Sequence, residues 1–347
     1  PAAVGGTITG GDTVCVGAVY VTLNLSGYTG TVTRWEASPV ADFSSGVVLI
    51  NNTSNSLDVI DSTSTTYYRA LITNGSCTAY SSVGAVVVNP VTVGGTVSSS
   101  QSVCITGNST TITLSGQTGN VIRWESSTSS NFSNAQTINN TTTSYTVTNL
   151  TTSTYFRAIL FNKGCGEAPS TGALISVDPA VNGGAASGGT NVCITSNSTQ
   201  LSLSNQTAGS TLRWQYSTDS ITYINLPTTT ATYTANNVIA KRHYRVLVSL
   251  GACSAFSTPT TITVDPASVG GSIAGGTTVC KSGSTTTLTL TGKTGNVVKW
   301  QYYTDASNLT DTADIENTTT SQTVINLQNQ TYYRALVKSG ACPSIYS

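Results

Sequence analysis

The residues with the most chemistry in this chain are its eight cysteines, and they recur at a fixed interval. They fall as Cys15 and Cys77, Cys104 and Cys165, Cys193 and Cys253, Cys280 and Cys342. The spacing within a bracket is nearly constant, at roughly 60 positions each time. Zinc sites draw ligands from short Cys-x-x-Cys steps; this chain has none, and its single histidine, His243, adds no metal cluster. Evenly placed cysteines in a Ser-, Thr- and Asn-rich chain point to disulfides formed in an oxidising compartment. Pairing within each bracket predicts Cys15–Cys77, Cys104–Cys165, Cys193–Cys253 and Cys280–Cys342. A loop of that length contributes about 4 kcal/mol by the chain-entropy argument. The shorter gap between one bracket's second cysteine and the next bracket's first is equally regular, so links between neighbouring repeats stay open.

The titratable residues offer little else. His243 stands where the other repeats carry a tyrosine, so it cannot serve four equivalent sites. Glu36 and Glu125 give way to Gln215 and Gln301, which removes the paired acids of glycoside hydrolysis. Asp178 and Asp265 precede prolines, where Asn89 in the equivalent place argues for turn capping over calcium binding. The reading is no catalytic residue, no metal and no cofactor. A formal net charge of zero with 8% charged residues argues against a nucleic-acid partner and against an anionic membrane surface. No run approaches the roughly 18 apolar residues of a membrane span, and no signal peptide is present, so direct membrane insertion is not expected.

The cysteines bracket the only four tryptophans, Trp35, Trp124, Trp214 and Trp300, on a period of roughly 88 residues. A tryptophan placed so regularly is a core anchor, because it buries a large area. Around it the apolar residues alternate as in strands: Leu23 and Leu25, Ile112 and Leu114, Leu201 and Leu203, Leu288 and Leu290 point inward. On the tryptophan strand, Ile122, Leu212 and Val298 are expected to share the tryptophan face. The most uniform run is Tyr67-Tyr68-Arg69-Ala70 with its copies; Arg69, Arg157, Arg245 and Arg334 point outward near Arg34, Arg123, Arg213 and Lys299. That strip reads as a solvated face in which Tyr67, Tyr155 and Tyr332 cover the arginine stems, or, more sharply, as a strip that binds glycans or a neighbouring filament. Short strands with turn signals between them and no sustained helical period mean an all-β fold. Four sandwich domains are expected, at 1–90, 91–180, 181–267 and 268–347, joined by short Pro- and Gly-containing linkers into an elongated array. Pro1 begins inside a linker-like segment, and Ser347 stops before the segment that closes each earlier repeat. The sequence therefore reads as an excerpt of a longer array whose fourth repeat is truncated.

A cysteine before the second strand, a central Trp, then Tyr-Tyr-Arg-Ala and a Gly-Cys or Ser-Cys turn resemble an immunoglobulin-like domain. Antibody domains carry their cysteines on the second and sixth strands; here they fall before the second and after the sixth, which leaves the strand topology open. Val-Gly-Gly-Thr-Val-Ser, Ser-Val-Cys, Thr-Gly-Asn-Val-Ile-Arg-Trp-Glu and Tyr-Phe-Arg-Ala in the second repeat resemble the tandem Ig-like repeats of very large Bacteroidota surface proteins, gliding-motility adhesins among them. The resemblance implies export by type IX secretion and display at the cell surface or release. It also implies O-glycans at Asp-Ser/Thr-apolar (or Thr) tripeptides, here on Thr13, Ser62, Ser220 and Thr312. Asn-x-Ser/Thr triplets at Asn108, Asn139 and Asn140 read as accidents of an Asn/Thr-rich chain.

These readings converge on the structural, adhesive stalk of a secreted or cell-surface bacterial protein. Its partners would be further repeats of the same chain, and glycans or neighbouring surface proteins. The alternative is a set of spacers or carbohydrate-binding modules in an extracellular polysaccharide-degrading enzyme. A weaker third is an ice- or mineral-binding array, suggested by Thr141-Thr142-Thr143 and Thr318-Thr319-Thr320.

Overall fold

Alternating Thr and aliphatic residues cannot bury one face alone, so each repeat folds two sheets against each other. The computed structural model describes residues 1–281, 283–305 and 312–347. The first repeat has nine strands: β1 (Thr7–Thr9), β2 (Thr13–Cys15), β3 (Ala18–Ser26), β4 (Thr31–Ser38), β5 (Val48–Ile50), β6 (Ser56–Ser62), β7 (Thr66–Asn74), β8 (Cys77–Tyr80) and β9 (Gly84–Asn89). One sheet is ordered β1-β3-β6; the other is β2-β9-β7-β4-β5, with β8 also on β7. All pairs are antiparallel except β2 with β9, which run parallel. The chain thus crosses from one sheet to the other between β1 and β2, which settles the topology that the cysteine placement left open. The second and third repeats reproduce all nine strands; among the described residues the fourth reproduces seven, without counterparts of β2 and β9. The fold is all-β, in four repeated units of about 87 residues. The chain separates into two compact units, 1–179 and 180–347, each holding two repeats.

Trp35, Trp124, Trp214 and Trp300 are fully buried at the centre of the four cores. Opposite each in the ladder lies a small residue, Ala70, Ala158, Val246 or Ala335, which makes room for the indole. Each indole N–H donates to a loop carbonyl, of Ser54, Thr142, Thr230 or Thr319, at 2.9–3.0 Å. The threonine tracts singled out as an ice-binding signal therefore lie in these loops and cap tryptophans.

One expectation about facing is corrected. A β-bulge interrupts the tryptophan strand of three repeats, between Val32 and Arg34, Val121 and Arg123, and Val297 and Lys299. An extra residue flips the alternation beyond it, so Val121 and Val297 are buried, in place of Ile122 and Val298. The third repeat pairs without that shift, and Leu212 does pack against its core. The Gly-Gly pairs of the linker-like segments are docked against the sheets. A Cβ on Gly5 would collide with the carbonyl of Tyr80, and one on Gly94 with that of Pro169. Val4 and Val93 bridge Thr29 and Thr118, which leaves only Pro90, Val91 and Thr92 to connect the first two repeats.

Sequence reasoning missed one further device. β7 pairs with β8 over 71–74 and with β9 over 66–68. Ser81 fills the gap where β7 changes partner: the Ala70 N–H donates to Ser81 Oγ at 2.9 Å, and the Ser81 N–H donates to Ala70 O at 2.9 Å. Ser170, Ser257 and Ser347 do the same for Ala158, Val246 and Ala335. The signal is a serine four or five positions after each second cysteine. Replacing Ser81 by Ala leaves the Ala70 N–H without its partner and is expected to cost the first repeat about 1–2 kcal/mol. Native-state hydrogen exchange would read this as faster opening of β7 amides, with the second repeat unchanged.

Candidate functional site

The sites with distinctive geometry are the junctions between repeats and a strip on the outer face. Because β2 runs parallel to β9, Cys15 lies beside Asn89, at the trailing end of the first repeat where the chain leaves it. Cys77 opens β8 just after the far end of β7, which is antiparallel to β9. The two cysteines therefore sit at opposite ends of the sandwich, about 30 Å apart across the nine residues of β7. Disulfides need Cα atoms within about 7 Å, so the pairing expected inside each bracket is excluded by the direction of the strands.

The structure joins neighbouring repeats instead. Cys15 bonds Cys165, with Cα atoms 4.6 Å apart, and Cys193 bonds Cys342, again at 4.6 Å. In each case the first cysteine of one repeat takes the second cysteine of the next, at a sequence separation of 150 or 149. The shorter option, between one bracket's second cysteine and the next bracket's first, is not the one used. Cys104 and Cys253 are also disulfide-bonded, whereas Cys77 and Cys280 carry free, exposed thiols, which corrects the expectation that all eight are bridged.

Polar contacts fix the same junctions. Asn89 Nδ2 donates to Lys163 O at 2.9 Å, and Asn162 Nδ2 donates to Pro90 O at 2.8 Å. The buried Thr92 hydroxyl donates to Gly166 O at 2.8 Å and accepts from Asn162 N–H. In the second unit the Asp265 carboxylate accepts the Ala341 N–H at 2.8 Å, and Ser268 Oγ accepts the Ser339 N–H at 2.9 Å. Asp265 thus caps the cysteine-bearing turn of the following repeat. Among the described residues no group of three or more His, Cys, Asp or Glu is placed to hold a metal ion.

On the outer face Glu36 and Glu125 are only 2% and 7% exposed. Arg34 and Arg69 hold the two oxygens of Glu36 at 2.7–3.0 Å, and Arg123 and Arg157 do so for Glu125 at 2.8–2.9 Å. Arg69 is sandwiched between the rings of Phe43 and Tyr80, 4.1 and 3.8 Å from their centroids, while Arg157 lies over Phe132 at 4.2 Å. The aromatics that cover the arginines are thus these, not Tyr67 and Tyr155. Phe43 and Phe132 sit at φ 56, a strained region for a bulky residue; packing on the guanidinium is what holds them there. In the third repeat Arg245 lies between Tyr223 and Phe256 at 3.6 and 3.7 Å and donates to Gln215 Oε1 at 2.9 Å. In the fourth, Arg334 stacks on Tyr346 at 3.8 Å and donates to Gln301 Oε1 at 2.9 Å. The glutamine amides donate in turn to Asn225 or Asp314 on the next short strand.

Burial pushes the Glu36 carboxyl up, but hydrogen bonds and charge from Arg34 and Arg69 outweigh it and hold the group below its ordinary value. A glycosidase acid needs the opposite shift. Around Arg69, Arg157, Arg245 and Arg334 the strip is a self-satisfied layer of hydrogen bonds, ion pairs and stacking.

The remaining expected sites are scattered. His243 Nδ1 contacts the Thr261 hydroxyl at 2.9 Å along the sheet. Of the four expected O-glycan acceptors, Ser220 is exposed on a loop, while Thr13 in β2, Ser62 in β6 and Thr312 are half-buried. Asp311 of the last tripeptide lies outside the described residues. Asn108 is buried, its amide bound to Cys104 O and to Leu150 O and N, so its triplet is no acceptor.

A family model described as a domain of unknown function, DUF8696, matches four times, at 4–90, 93–179, 182–266 and 269–347. No curated protein matches. Among solved structures, a Ca²⁺-stabilised adhesin that helps an Antarctic bacterium reach out and bind ice is 10% identical, with TM-score 0.35 over 99% of this chain and 98% of that one. Titin domains I67–I69 are 12% identical, with TM-score 0.39 over 76% and 96%. Three N-terminal domains of the outer capsid protein Hoc of bacteriophage RB49 are 11% identical, with TM-score 0.40 over 75% and 99%.

Proposed function

The chain belongs to the DUF8696 family four times over, and we propose on that premise that it is a tension-resisting spacer, the stalk of a bacterial surface or secreted protein. The observation that carries this reading is the staple between consecutive repeats. The Cys15–Cys165 bond crosses a junction that the backbone already crosses at 89–93, so the two repeats are joined by two covalent paths. Two paths restrain bending and separation where a single linker would hinge. Each loop of about 150 residues contributes on the order of 5 kcal/mol by the chain-entropy argument. Disulfides of this kind persist in an oxidising compartment, which supports an extracellular location. Export by type IX secretion from a Bacteroidota cell is the finer form of the proposal; it rests on the repeat wording alone.

The outer-face strip supports a passive role over glycan capture. Arg69, Arg157, Arg245 and Arg334 are each bound to Glu or Gln and stacked on the chain's own aromatics, so a sugar would have to displace contacts already made there. A glycan array probed with the purified oxidised chain is expected to be blank. Binding to any polysaccharide with Kd tighter than about 100 μM would favour carbohydrate-binding modules instead.

A further inference from the structure

The staple has a direction. The trailing-end cysteine, the last residue of β2 or its counterpart, is the donor half; the turn cysteine before or at the start of β8 or its counterpart is the acceptor half. Cys15 to Cys165 and Cys193 to Cys342 both follow this rule. Cys77 occupies the acceptor position of the first repeat; Cys280, by its place in the repeat sequence, is the donor cysteine of the fourth, and both are free and exposed. A second observation concerns the surface beside the thiol. Gly340, two residues before the bonded Cys342, is pressed against the Asp265 carboxylate of the preceding repeat; Gly75, two residues before Cys77, has nothing within 4 Å of where a Cβ would stand. The acceptor turn of the first repeat therefore presents an uncovered version of a surface that is covered in the second unit.

We propose that Cys77 and Cys280 are open halves of the same staple: Cys77 takes the donor cysteine of a further DUF8696 repeat docked on the leading end of the first repeat, and Cys280 takes the acceptor cysteine of one docked on the trailing end of the fourth. Each bond forms by oxidation of two thiols. They lose two protons and two electrons to an external disulfide such as oxidised glutathione, which departs as two thiols.

Two extended chains test this. In one, residues 91–178 are placed ahead of Pro1; in the other, residues 258–347 follow Ser347, supplying the closing strand, linker and turn that the third repeat gives to the fourth. Both are oxidised in glutathione buffer and mapped without reduction, with Cys15–Cys165 as the internal standard for native folding. The expected cross-links join the added copy of Cys104 to Cys77, and Cys280 to the added copy of Cys342. Each bond should disappear in the Cys77→Ser or Cys280→Ser variant, leaving the added cysteine open to alkylation. Adding only residues 258–266 should leave Cys280 free. If the standard bond is intact while Cys77 and Cys280 stay alkylatable, or pair with any other cysteine, the proposal fails. The 347-residue chain alone, treated in the same way at high concentration, separates the two sources of partner. A Cys77–Cys280 cross-link between molecules would show that a second copy serves; a monomer with both thiols free would leave the role to repeats of the same polypeptide.

Discussion

Stretched between its ends in a force spectrometer, the oxidised chain should stop extending far short of its contour length, and reductant should release roughly 100 nm more. The argument is one of connectivity. Force entering at Pro1 reaches Cys15 and crosses to Cys165; after Cys193 it crosses to Cys342. The residues between the members of each pair form closed loops that carry no load in the stretched chain, whether folded or not. About 300 residues are hidden in this way, at roughly 3.4 Å each. Pairing inside the brackets would also hide residues, but in loops of about 60 residues each, and release would come in smaller steps of roughly 20 nm. Cys15→Ser should give an intermediate extension without reductant. Equal extension with and without reductant, or release in the smaller steps, would refute the staple. The same connectivity predicts resistance to proteolysis: a nick in the loop at 39–47 cannot separate the fragments until the disulfide is reduced.

Much of this fold is legible in the sequence, and the part that is not has a common cause. The tryptophans, the alternating leucines and the small residue after each arginine depend on local alternation, and their burial follows from period two alone. Period two misplaces Ile122 and Val298 because a bulge changes the alternation without leaving a turn residue to mark it. Spacing misplaces the disulfide partners because it says nothing about which end of a sandwich a cysteine occupies. That depends on β2 pairing parallel to β9, a choice made by tertiary packing. Cys15 beside Asn89 and Cys77 at the opposite end differ by a whole strand length, yet in sequence both are merely turn cysteines. The outer-face layer is half legible. One arginine of each pair, Arg34 or Arg123, is visible two residues before its acid, and Phe43 and Phe132 recur in Asp/Asn-Phe-Ser eight positions after their tryptophans. The second arginine, Arg69 or Arg157, reaches the acid only through the pairing of β4 with β7 or of its counterpart in the second repeat.

That layer gives the second large effect. Removing Arg69 as Arg69→Ala should destabilise the first repeat by roughly 3 kcal/mol, because it strips a charge-assisted partner from a carboxylate that is only 2% exposed and empties the slot between Phe43 and Tyr80. The positive-φ backbone at Phe43 would then lose the packing that holds it, so exchange should quicken across 39–47 as well as in β7. Glu36→Gln is expected to behave differently. Gln215 and Gln301 fill the same place in the third and fourth repeats and accept from Arg245 and Arg334 in the same way, so the amide should fit with a cost of about 1 kcal/mol or less at neutral pH. The two variants separate further in acid. The folded Glu36 carboxyl lies below its ordinary value, so its contribution is fully present above the unfolded value, at about pH 4.3, and fades as pH falls through the folded one. Wild type should therefore lose first-repeat stability below about pH 4 more steeply than Glu36→Gln, and the two curves should converge. Parallel acid limbs in hydrogen-exchange or denaturant measurements would mean that Glu36 is not held as an ion by its arginines. A layer that tolerates amide for carboxylate in two repeats of four needs the hydrogen bond and the stacked guanidinium more than it needs the charge, and that is the requirement of a structural face, not of an acid catalyst.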